Sequence, residues 1–335
     1  MTKIAFVLPY FGKFGNYFQL WLNSCKNNPT IDWIVLTDDH TDFVYPENVK
    51  VNYVTLDYVR ERIERAFGMP VSLEDPYRLC NFKPLYGVIF DNLLEKYDFW
   101  GYCDCDLIWG DIRSFVTEDL LKKNDKIFQW GHCCLMRNEK RVNEFFKLPH
   151  PDVVDVAKVL KYPLSFAYDE ASQCGKIFDM YFTTTYCKDV YNYDVFVPSL
   201  PFKPAPSMVG ASCEKTIFSY IDGRIYGMTK KESELFTKEY MYVHLQKRKM
   251  KVLVAKSQSE CDRYLIVPNK FIDYQDVTFE NFSSFLPKCN FYLLKYKLFF
   301  EYYLDSVFDN KKTKSYVRGK MKRMFDRLLG RKPDC

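Results

Sequence analysis

The sequence predicts an α/β fold in which helices flank a mostly parallel β-sheet. Continuous apolar runs of strand length occur at residues 3–8, 32–37 and 99–103, as is typical of strands buried on both faces of a parallel sheet. Segments with apolar residues at helical spacing separate these runs, and such alternation favours parallel pairing. Polar residues follow each run, at the edge where open α/β sheets bind their ligands.

The first part of the chain predicts the order strand, helix, strand, strand, helix, helix and strand. Residues 17–25 have helical spacing, and residues 49–55 alternate like a more peripheral strand. A charged helix over 56–67 should end at the break Gly68-Met69-Pro70. A helix over 84–96 would carry its proline near the first turn, which is a favoured position.

The pattern is less regular after residue 104. Periodicity predicts short paired strands at 126–129 and 133–136, helices at 153–160 and 170–177, a proline-rich loop at 196–212 and a strand at 239–245. The sequence has no internal repeat and no clear domain boundary before about residue 285. We therefore expect one domain over residues 1–285 and an aromatic, basic helical extension over 286–335.

Composition and charge argue against a nucleic-acid-binding protein. The net charge of +5 is concentrated at residues 311–332, which hold ten Lys and Arg against one Asp, so the rest of the chain is mildly acidic. The aromatic content of 18% suits carbohydrate handling, because sugar C–H faces stack on rings. AT-rich bacterial coding enriches the same residues and is an equally good explanation.

The twelve cysteines predict reduced, buried thiols. The amino-terminal apolar run is interrupted by Pro9, Gly12 and Lys13, which is not typical of a signal peptide, so we expect a cytoplasmic protein with reduced thiols. No Cys-x-x-Cys pair suggests zinc. No apolar stretch reaches the roughly 18 residues expected of a membrane-spanning helix.

Polar residues follow three predicted strands, at Pro9-Tyr10, Thr37-Asp38-Asp39 and Asp104-Cys105-Asp106. Residues i and i+2 of an extended segment point the same way. Both carboxylates of the third group can therefore face one cation, and hard oxygen ligands suit Mn²⁺ or Mg²⁺. A solvated acidic turn is the alternative.

The segment YDFWGYCDCDLIWGDI resembles the Asp-x-Asp strand of GT-A glycosyltransferases, and is most similar to a bacterial group from capsule and exopolysaccharide loci. The resemblance covers roughly residues 1–140 and extends more weakly to 240–250. It implies a GT-A (Rossmann-like) fold and an Mn²⁺- or Mg²⁺-dependent hexosyltransferase. Such an enzyme would transfer a hexose from a UDP-sugar donor to a saccharide acceptor in polysaccharide biosynthesis.

The resemblance also implies roles for individual residues. The base pocket would be lined by Pro9, Tyr10 and Phe11, with Thr37 and Asp38 contacting uracil or ribose. Arg78 and Lys83 would neutralise phosphate or contact the donor sugar. Asp104 would face ribose, sugar and metal, and Asp106 would be the firmest metal ligand.

A late histidine is the third metal ligand that the resemblance implies. His244 precedes the basic residues Lys247, Arg248 and Lys249, which would stabilise the departing UDP. The lysine motif expected after this histidine, with its Gly and Pro, is replaced by QKRKM. The alternative is a structural histidine before a solvated basic turn. The late histidine favours retention of anomeric configuration.

Two further positions have comparable alternatives. His132, in Trp130-Gly131-His132, would bond donor-sugar hydroxyls or be a hydrogen-bonded core histidine. Asp169 and Glu170 would form the acceptor-side catalytic pair or cap the following helix.

The basic carboxyl-terminal segment resembles an amphipathic interfacial anchor. It would hold the enzyme peripherally on the inner face of the cell membrane, where a lipid-linked acceptor is available; a helix packed on the body is the alternative. A metal-dependent phosphotransferase or nucleotidyltransferase, or a non-catalytic sugar- or membrane-binding module, are the competing functions.

Overall fold

The computed structural model describes residues 1–185, 191–192, 216–245 and 250–286. The predicted loop at 196–212, the basic residues Lys247 and Lys249, and all but the first residue of the predicted 286–335 extension lie outside the described residues. In the described part, no helix combines the length and the apolar character needed to cross a bilayer. The eight cysteines of that part are free.

A seven-stranded sheet forms the centre of the protein, in the order β3-β2-β1-β4-β7-β6-β8. Its strands are β1 (Ile4–Tyr10), β2 (Ile31–Thr37), β3 (Val49–Tyr53), β4 (Phe99–Cys103), β6 (Lys126–Trp130), β7 (Cys133–Arg137) and β8 (Thr184–Thr185). Strands β3, β2, β1 and β4 are parallel, as are β6 and β8, whereas β7 is antiparallel to both of its neighbours. The predicted mixed α/β fold with a mostly parallel sheet is confirmed.

Helices and apolar cores cover both faces of this sheet. The helices are α1 (Phe18–Lys26), α2 (Leu56–Phe67), α3 (Leu79–Phe82), α4 (Tyr86–Ile89), α5 (Asp91–Leu94), α6 (Glu118–Lys123), α7 (Lys140–Asn143), α8 (Val156–Lys161) and α9 (Lys176–Tyr181). Side chains of β1 alternate between two cores: Ala5 and Val7 pack on one face, and Phe6 and Leu8 on the other. Burial on both faces explains the uninterrupted apolar run of this strand.

Helix α2 shows how local signals set an element. The Thr55 hydroxyl accepts a hydrogen bond from the backbone N–H of Tyr58, which satisfies a donor of the first turn. At the other end, Gly68 has a φ of 66°, a left-handed conformation that glycine adopts without steric cost. The predicted helix over 56–67 is therefore confirmed at both ends.

The single helix predicted over 84–96 is wrong. The chain makes a 3₁₀ turn at Lys83–Leu85 and then the short helices α4 and α5. Phe90 between them leaves the helical region, and the Ile89 carbonyl accepts hydrogen bonds from the Arg62 guanidinium instead. A tertiary contact thus interrupts a segment whose periodicity is helical.

Two more predicted elements differ from the structure. The segment predicted as a helix over 170–177 is a π-helical turn at Ala171–Gly175 that runs into α9. The strand predicted over 239–245 is two strands of different sheets, β12 (Glu234–Tyr240) and β13 (Tyr242–His244). They separate at Met241, whose carbonyl accepts a hydrogen bond from the Gly110 N–H at 2.6 Å.

A second sheet of six strands was not predicted. It has the order β12-β11-β10-β15-β16-β14 and contains β10 (Thr216–Ile221), β11 (Arg224–Lys231), β14 (Lys251–Leu253), β15 (Arg263–Val267) and β16 (Lys270–Asp273) besides β12. Asp222 and Gly223 join β10 to β11 with φ values of 48° and 87°. Two positive φ values in a two-residue loop match a type I′ hairpin, for which Asp-Gly is a preferred sequence. This dipeptide was a usable signal.

A small third sheet brings distant parts of the chain together. Strand β13 lies between β5 (Leu107–Trp109) and β9 (Tyr191–Asn192). Ile108 and Val243 of this sheet pack in one core with Leu20 of α1 and Phe218 of the second sheet. The third sheet therefore joins the end of the central sheet to the six-stranded sheet.

Candidate metal and nucleotide site

The strand order places a crevice between β1 and β4. The chain builds β1, β2 and β3 outward in one direction and then returns to place β4 on the other side of β1. Such a reversal of strand order leaves a crevice at the carboxyl ends of the two central strands, where open α/β sheets bind ligands. Tyr10 ends β1 and Asp104 follows β4 at this edge.

The acidic turn Asp104-Cys105-Asp106 joins β4 to β5, and a strand ladder brings His244 beside it. Strand β5 pairs antiparallel with β13, so that Leu107 lies opposite His244. The ladder continues with a hydrogen bond of 2.8 Å from the Leu245 N–H to the Asp106 carbonyl. The imidazole Nε2 of His244 consequently lies 3.3 Å from Oδ1 of Asp106.

Asp104, Asp106 and His244 form what we call the carboxylate–imidazole cluster. Each offers one ligand atom, and these atoms lie within 4.8 Å of one another. Two carboxylates and an imidazole are a suitable donor set for Mn²⁺ and are compatible with Mg²⁺. Within the part of the chain that the structure describes, the buried Nδ1 of His244 has no hydrogen-bond partner. A buried polar atom without a partner is costly, so the cluster fits a cation that uses its ring.

His132 supports His244 in this arrangement. The two imidazoles stack with centroids 4.1 Å apart, and Nε2 of His132 lies 3.0 Å from the hydroxyl of Tyr242. Burial, and then the neighbouring His244, lower the pKa of His132 well below its ordinary value. A neutral, stacked and hydrogen-bonded ring favours a structural role for His132 over the predicted contact with sugar hydroxyls.

Lys83 joins the cluster to a second acidic pair. Its buried ammonium donates to Oδ1 of Asp104 at 2.5 Å and to the Gly131 carbonyl at 2.7 Å, and lies 3.8 Å from Oδ2 of Asp169. Burial alone would lower the pKa of Lys83, but Asp104, Cys80 and Asp169 together outweigh burial, and the pKa lies well above its usual value. These contacts place the ammonium beside Asp104, and the predicted contact of Lys83 with phosphate or donor sugar stays a prediction.

Asp169 and Glu170 lie against Gly131, opposite the cluster. A Cβ at Gly131 would come within 2.6 Å of Oδ2 of Asp169 and 2.7 Å of Oε1 of Glu170, so only glycine leaves room for both carboxylates. Burial raises the pKa of Asp169 to about 7, and Lys83 opposes this shift. Burial also raises the pKa of Glu170. Glu170 is the N-cap residue of the following helical turn, but its side chain makes no capping hydrogen bond, which argues against the capping alternative for this residue.

The structure does not support the predicted role of Arg78. Its guanidinium donates to the backbone carbonyls of Ser72 at 2.9 Å, of Val159 at 3.0 Å and of Leu164. Each of the three guanidinium nitrogens thus donates to a backbone carbonyl of the protein itself. These contacts replace the phosphate or sugar contact that the sequence suggested.

The ends of β1 and β2 form a rigid, aromatic edge of the crevice. Pro9 and Tyr10 are half-buried and Phe11 is buried. The Tyr10 ring stacks on Phe14 at 4.5 Å, and Phe14 continues the stack to Phe18 at 3.7 Å. Tyr10 is thus the outermost ring of a preformed stack.

The polar residues after β2 are largely committed to the loop itself. The buried Thr37 hydroxyl accepts a hydrogen bond from the Asp39 N–H at 3.1 Å, and the exposed Asp38 accepts one from the Gly12 N–H at 2.7 Å. The sequence placed Asp39 at this strand end but assigned it no role; its carboxylate is buried and accepts a hydrogen bond from Lys13 at 2.6 Å. The predicted contacts of Thr37 and Asp38 with uracil or ribose stay predictions. They would use the Thr37 hydroxyl proton and the second carboxylate oxygen of Asp38, which these two hydrogen bonds do not involve.

A family model described as a family of unknown function (DUF6625) matches residues 6–275. The match covers well over half of the chain and includes the carboxylate–imidazole cluster, Lys83 and the Asp169–Glu170 pair. No curated protein matches the chain.

Proposed function

The chain belongs to the DUF6625 family of unknown function, and we propose that it is a metal-dependent glycosyltransferase of the GT-A type. It would transfer a hexose from a UDP-sugar to a saccharide acceptor. The observation that carries the proposal is the convergence of Asp104, Asp106 and His244 at the crevice between β1 and β4. A cation at such an edge would neutralise the charge of a nucleoside diphosphate, and these three residues would supply its ligands.

The residues of the cluster would hold Mn²⁺ or Mg²⁺, which supplies positive charge for a departing diphosphate. Asp104 has a second partner in Lys83, whose ammonium adds a fixed positive charge at the same place. The outermost ring of the aromatic stack, Tyr10, provides a preformed face for uracil next to this charge. Nucleotide and metal would therefore bind together.

Asp169 and Glu170 would lie on the sugar side of the site. Their raised pKa values suit proton transfer near neutral pH, because a carboxylate with an ordinary pKa is a weak base there. In an inverting reaction one of them would accept the proton of the acceptor hydroxyl. In a retaining reaction, which the late histidine favours by resemblance, one would flank the sugar face opposite the leaving group.

The arrangement of charges favours a single cation over two. The phosphotransferase and nucleotidyltransferase alternatives commonly use two metal ions held by two acidic groups. Here the ammonium of Lys83 lies between Asp104 and Asp169, where a second cation would be repelled. Among the described residues, the metal-competent group of three is the carboxylate–imidazole cluster.

The basic carboxyl-terminal segment suggests where in the cell the enzyme would act. We propose that it binds the inner face of the cell membrane and brings the enzyme to a lipid-linked acceptor in capsular or extracellular polysaccharide synthesis. Each basic residue near an anionic leaflet contributes about 1 kcal/mol. Co-sedimentation with anionic and neutral liposomes tests this, by comparing the full chain with a truncation ending near Lys288; equal binding by both would contradict it.

A hydrolysis screen tests the proposed activity without knowledge of the acceptor. UDP-, GDP- and CMP-sugars are incubated with the protein and Mn²⁺, and release of the nucleotide is followed. We expect slow release of UDP that stops with a chelator. A non-catalytic module would give no release from any donor, and UDP-induced thermal stabilisation that is the same with and without Mn²⁺ would exclude the metal-linked site.

A further inference from the structure

The segment that carries Asp169 and Glu170 lies between two unusual backbone features. Ala167 has a φ of 49°, a left-handed conformation that a residue with a Cβ avoids. After Glu170 the chain forms the π-helical turn Ala171–Gly175, a rare geometry that often occurs at functional sites. Such conformations persist when the surroundings fix them.

The surroundings that fix this segment come from the 3₁₀ turn at Pro76–Arg78 and from helix α3, which follows it. The Asn81 side chain donates to the Leu164 carbonyl at 2.9 Å and accepts from the Phe166 N–H at 2.9 Å. Arg78 donates to the same Leu164 carbonyl. Asn81 is 2% exposed, so these bonds are shielded from water. We call these contacts the Asn81–Arg78 clamp.

The clamp acts directly before the strained residue and the acidic pair. From Phe166 the chain passes through Ala167 and closes a turn in which the Glu170 N–H donates to the Ala167 carbonyl at 3.0 Å. The Asp169 carbonyl then accepts a hydrogen bond from Tyr102 of β4 at 3.2 Å. The acidic pair is therefore fixed on one side by the central sheet and on the other by the clamp.

We infer that Asn81, together with Arg78, is a positioning residue that sets the distance between the Asp169–Glu170 pair and the carboxylate–imidazole cluster. The inference rests on the proposed function for its catalytic meaning. Lys83 follows Asn81 by two residues and contacts both acidic groups. The stretch from Arg78 to Lys83 thus binds the backbone that leads into the acidic pair. Through the Lys83 ammonium it also contacts Asp104 of the cluster and Asp169 of the pair.

The test variant is Asn81→Asp, which keeps the shape and the acceptor for the Phe166 N–H. It replaces the donor to the Leu164 carbonyl by an oxygen, so this contact becomes repulsive. Arg78→Lys is a second, milder variant, because a lysine keeps the charge but loses the forked set of donors.

Asn28→Asp is the matched control. Asn28 is 3% exposed, donates to the carbonyls of Ser24 and Gly110 at 3.0 and 2.9 Å, and accepts from the Ile112 N–H at 2.9 Å. It makes the same two-sided contact near the amino end of β2, on the edge of the sheet opposite the crevice.

Two readouts are combined on the full chain. The first is the rate of hydrogen–deuterium exchange in the peptide spanning 164–170, which measures whether the hydrogen bonds of the clamp hold this segment. The second compares UDP affinity in the presence of Mn²⁺ with the rate of donor hydrolysis. For Asn81→Asp we expect faster exchange in this peptide, unchanged UDP affinity and an about tenfold to hundredfold lower rate, because small misplacements have effects of that size. Arg78→Lys should change each readout in the same direction by less.

Each other outcome contradicts a definite part of the inference. Unchanged exchange in Asn81→Asp refutes the clamp, and faster exchange with an unchanged hydrolysis rate refutes the positioning role. Equal loss of rate in Asn28→Asp shows a general effect of stability and also refutes it. The proposed function and the catalytic meaning of the clamp are refuted if the wild-type protein neither binds UDP with Mn²⁺ nor releases UDP from any donor. The exchange data decide separately whether the clamp exists.

Discussion

The ends of β2 and β4 both carry two acidic residues, yet the structure uses them in opposite ways. After β2, the carboxylate of Asp39 is buried and accepts hydrogen bonds from Lys13 at 2.6 Å, the Phe14 N–H at 2.9 Å, and the hydroxyl and N–H of Thr41 at 2.7 and 3.0 Å. After β4, Asp104 is bonded to Lys83 and Asp106 lies 3.3 Å from the His244 imidazole.

The difference teaches how to separate acids that stabilise a loop from acids that are candidate metal ligands. Burial alone would raise the pKa of Asp39, but its hydrogen bonds hold the pKa well below the usual range, so that this carboxylate stabilises its loop. At the β4 end, two carboxylates and an imidazole face one point. Oxygen and nitrogen ligand atoms that converge in this way are the arrangement from which a cation site is built.

The largest effect is expected for Asp106→Asn at the β4 end. Loss of a carboxylate ligand should lower Mn²⁺-dependent donor hydrolysis by about a hundredfold or more, a loss of about 3 kcal/mol in transition-state stabilisation. The melting temperature should not fall, because the substitution removes one of two crowded negative charges. Asp98→Asn is the control, since Asp98 lies at the other end of β4 and accepts a hydrogen bond from the Lys3 N–H. A similar loss of rate in both variants would count against the assignment.

The next effect is on stability and belongs to the β2 end. Asp39→Asn should lower the free energy of unfolding by about 2 to 3 kcal/mol at pH 7, because it removes a charge that several buried hydrogen bonds satisfy. The folded state holds the pKa of Asp39 below its unfolded value, so this contribution is present above about pH 4 and is lost on acidification. Urea unfolding of wild type and variant at pH 7 and near pH 3 measures it. A difference that stays constant with pH would show that Asp39 acts through shape alone.

Asp169 should show the opposite dependence on pH. Its pKa in the folded state is raised to about 7, so between about pH 4 and 7 the folded protein binds more protons than the unfolded chain and loses stability as pH rises. Asp169→Asn removes this penalty. We expect the variant to gain about 2 kcal/mol relative to wild type between pH 4 and pH 8, while donor hydrolysis falls. Thermal unfolding across this range measures the gain; a constant offset would mean that Asp169 titrates normally.

The smallest effect is expected at the aromatic edge. Tyr10→Leu should weaken UDP binding about fivefold to tenfold, because an aromatic stack contributes roughly 1 kcal/mol beyond burial. Mn²⁺ binding in the absence of nucleotide should stay the same, since the ligand atoms of the cluster belong to Asp104, Asp106 and His244. Isothermal titration with UDP and with Mn²⁺ separates the two effects. Equal affinity for UDP in variant and wild type would place the base elsewhere.

The fold of the central sheet could be predicted because its signals are local. Each of β1, β2 and β4 is a continuous apolar run, and α2 has a cap at Thr55 and a stop at Gly68. The six-stranded sheet was missed because its longest strands, β11 and β12, carry many charged and polar residues and lack the continuous apolar runs of the central strands. The Asp222-Gly223 dipeptide could have indicated one of its hairpins, but the pairing of β10 with β15 depends on packing that no local pattern records.

The candidate site could be predicted where its residues follow strands, and less well where they come from loops. Asp104 and Asp106 follow a strand directly, and His244 precedes a basic cluster; their approach is set by the pairing of β5 with β13, which the sequence does not show. Arg78 has the positive charge expected of a phosphate ligand, but its guanidinium donates to backbone carbonyls. Whether a charge serves the fold or a ligand depends on partners that only the structure reveals.

The most direct test of the central claim is a titration of the protein with Mn²⁺ in the presence of UDP, followed by electron paramagnetic resonance of free Mn²⁺. We predict a single tight Mn²⁺ site per chain that needs UDP for full affinity, and that Asp106→Asn and His244→Ala both abolish or strongly weaken it. Asp39→Asn, measured below the unfolding temperature of that variant, should keep the tight Mn²⁺ site. Tight Mn²⁺ binding that survives in both cluster variants, or UDP binding that is equally strong with a chelator, would contradict the account.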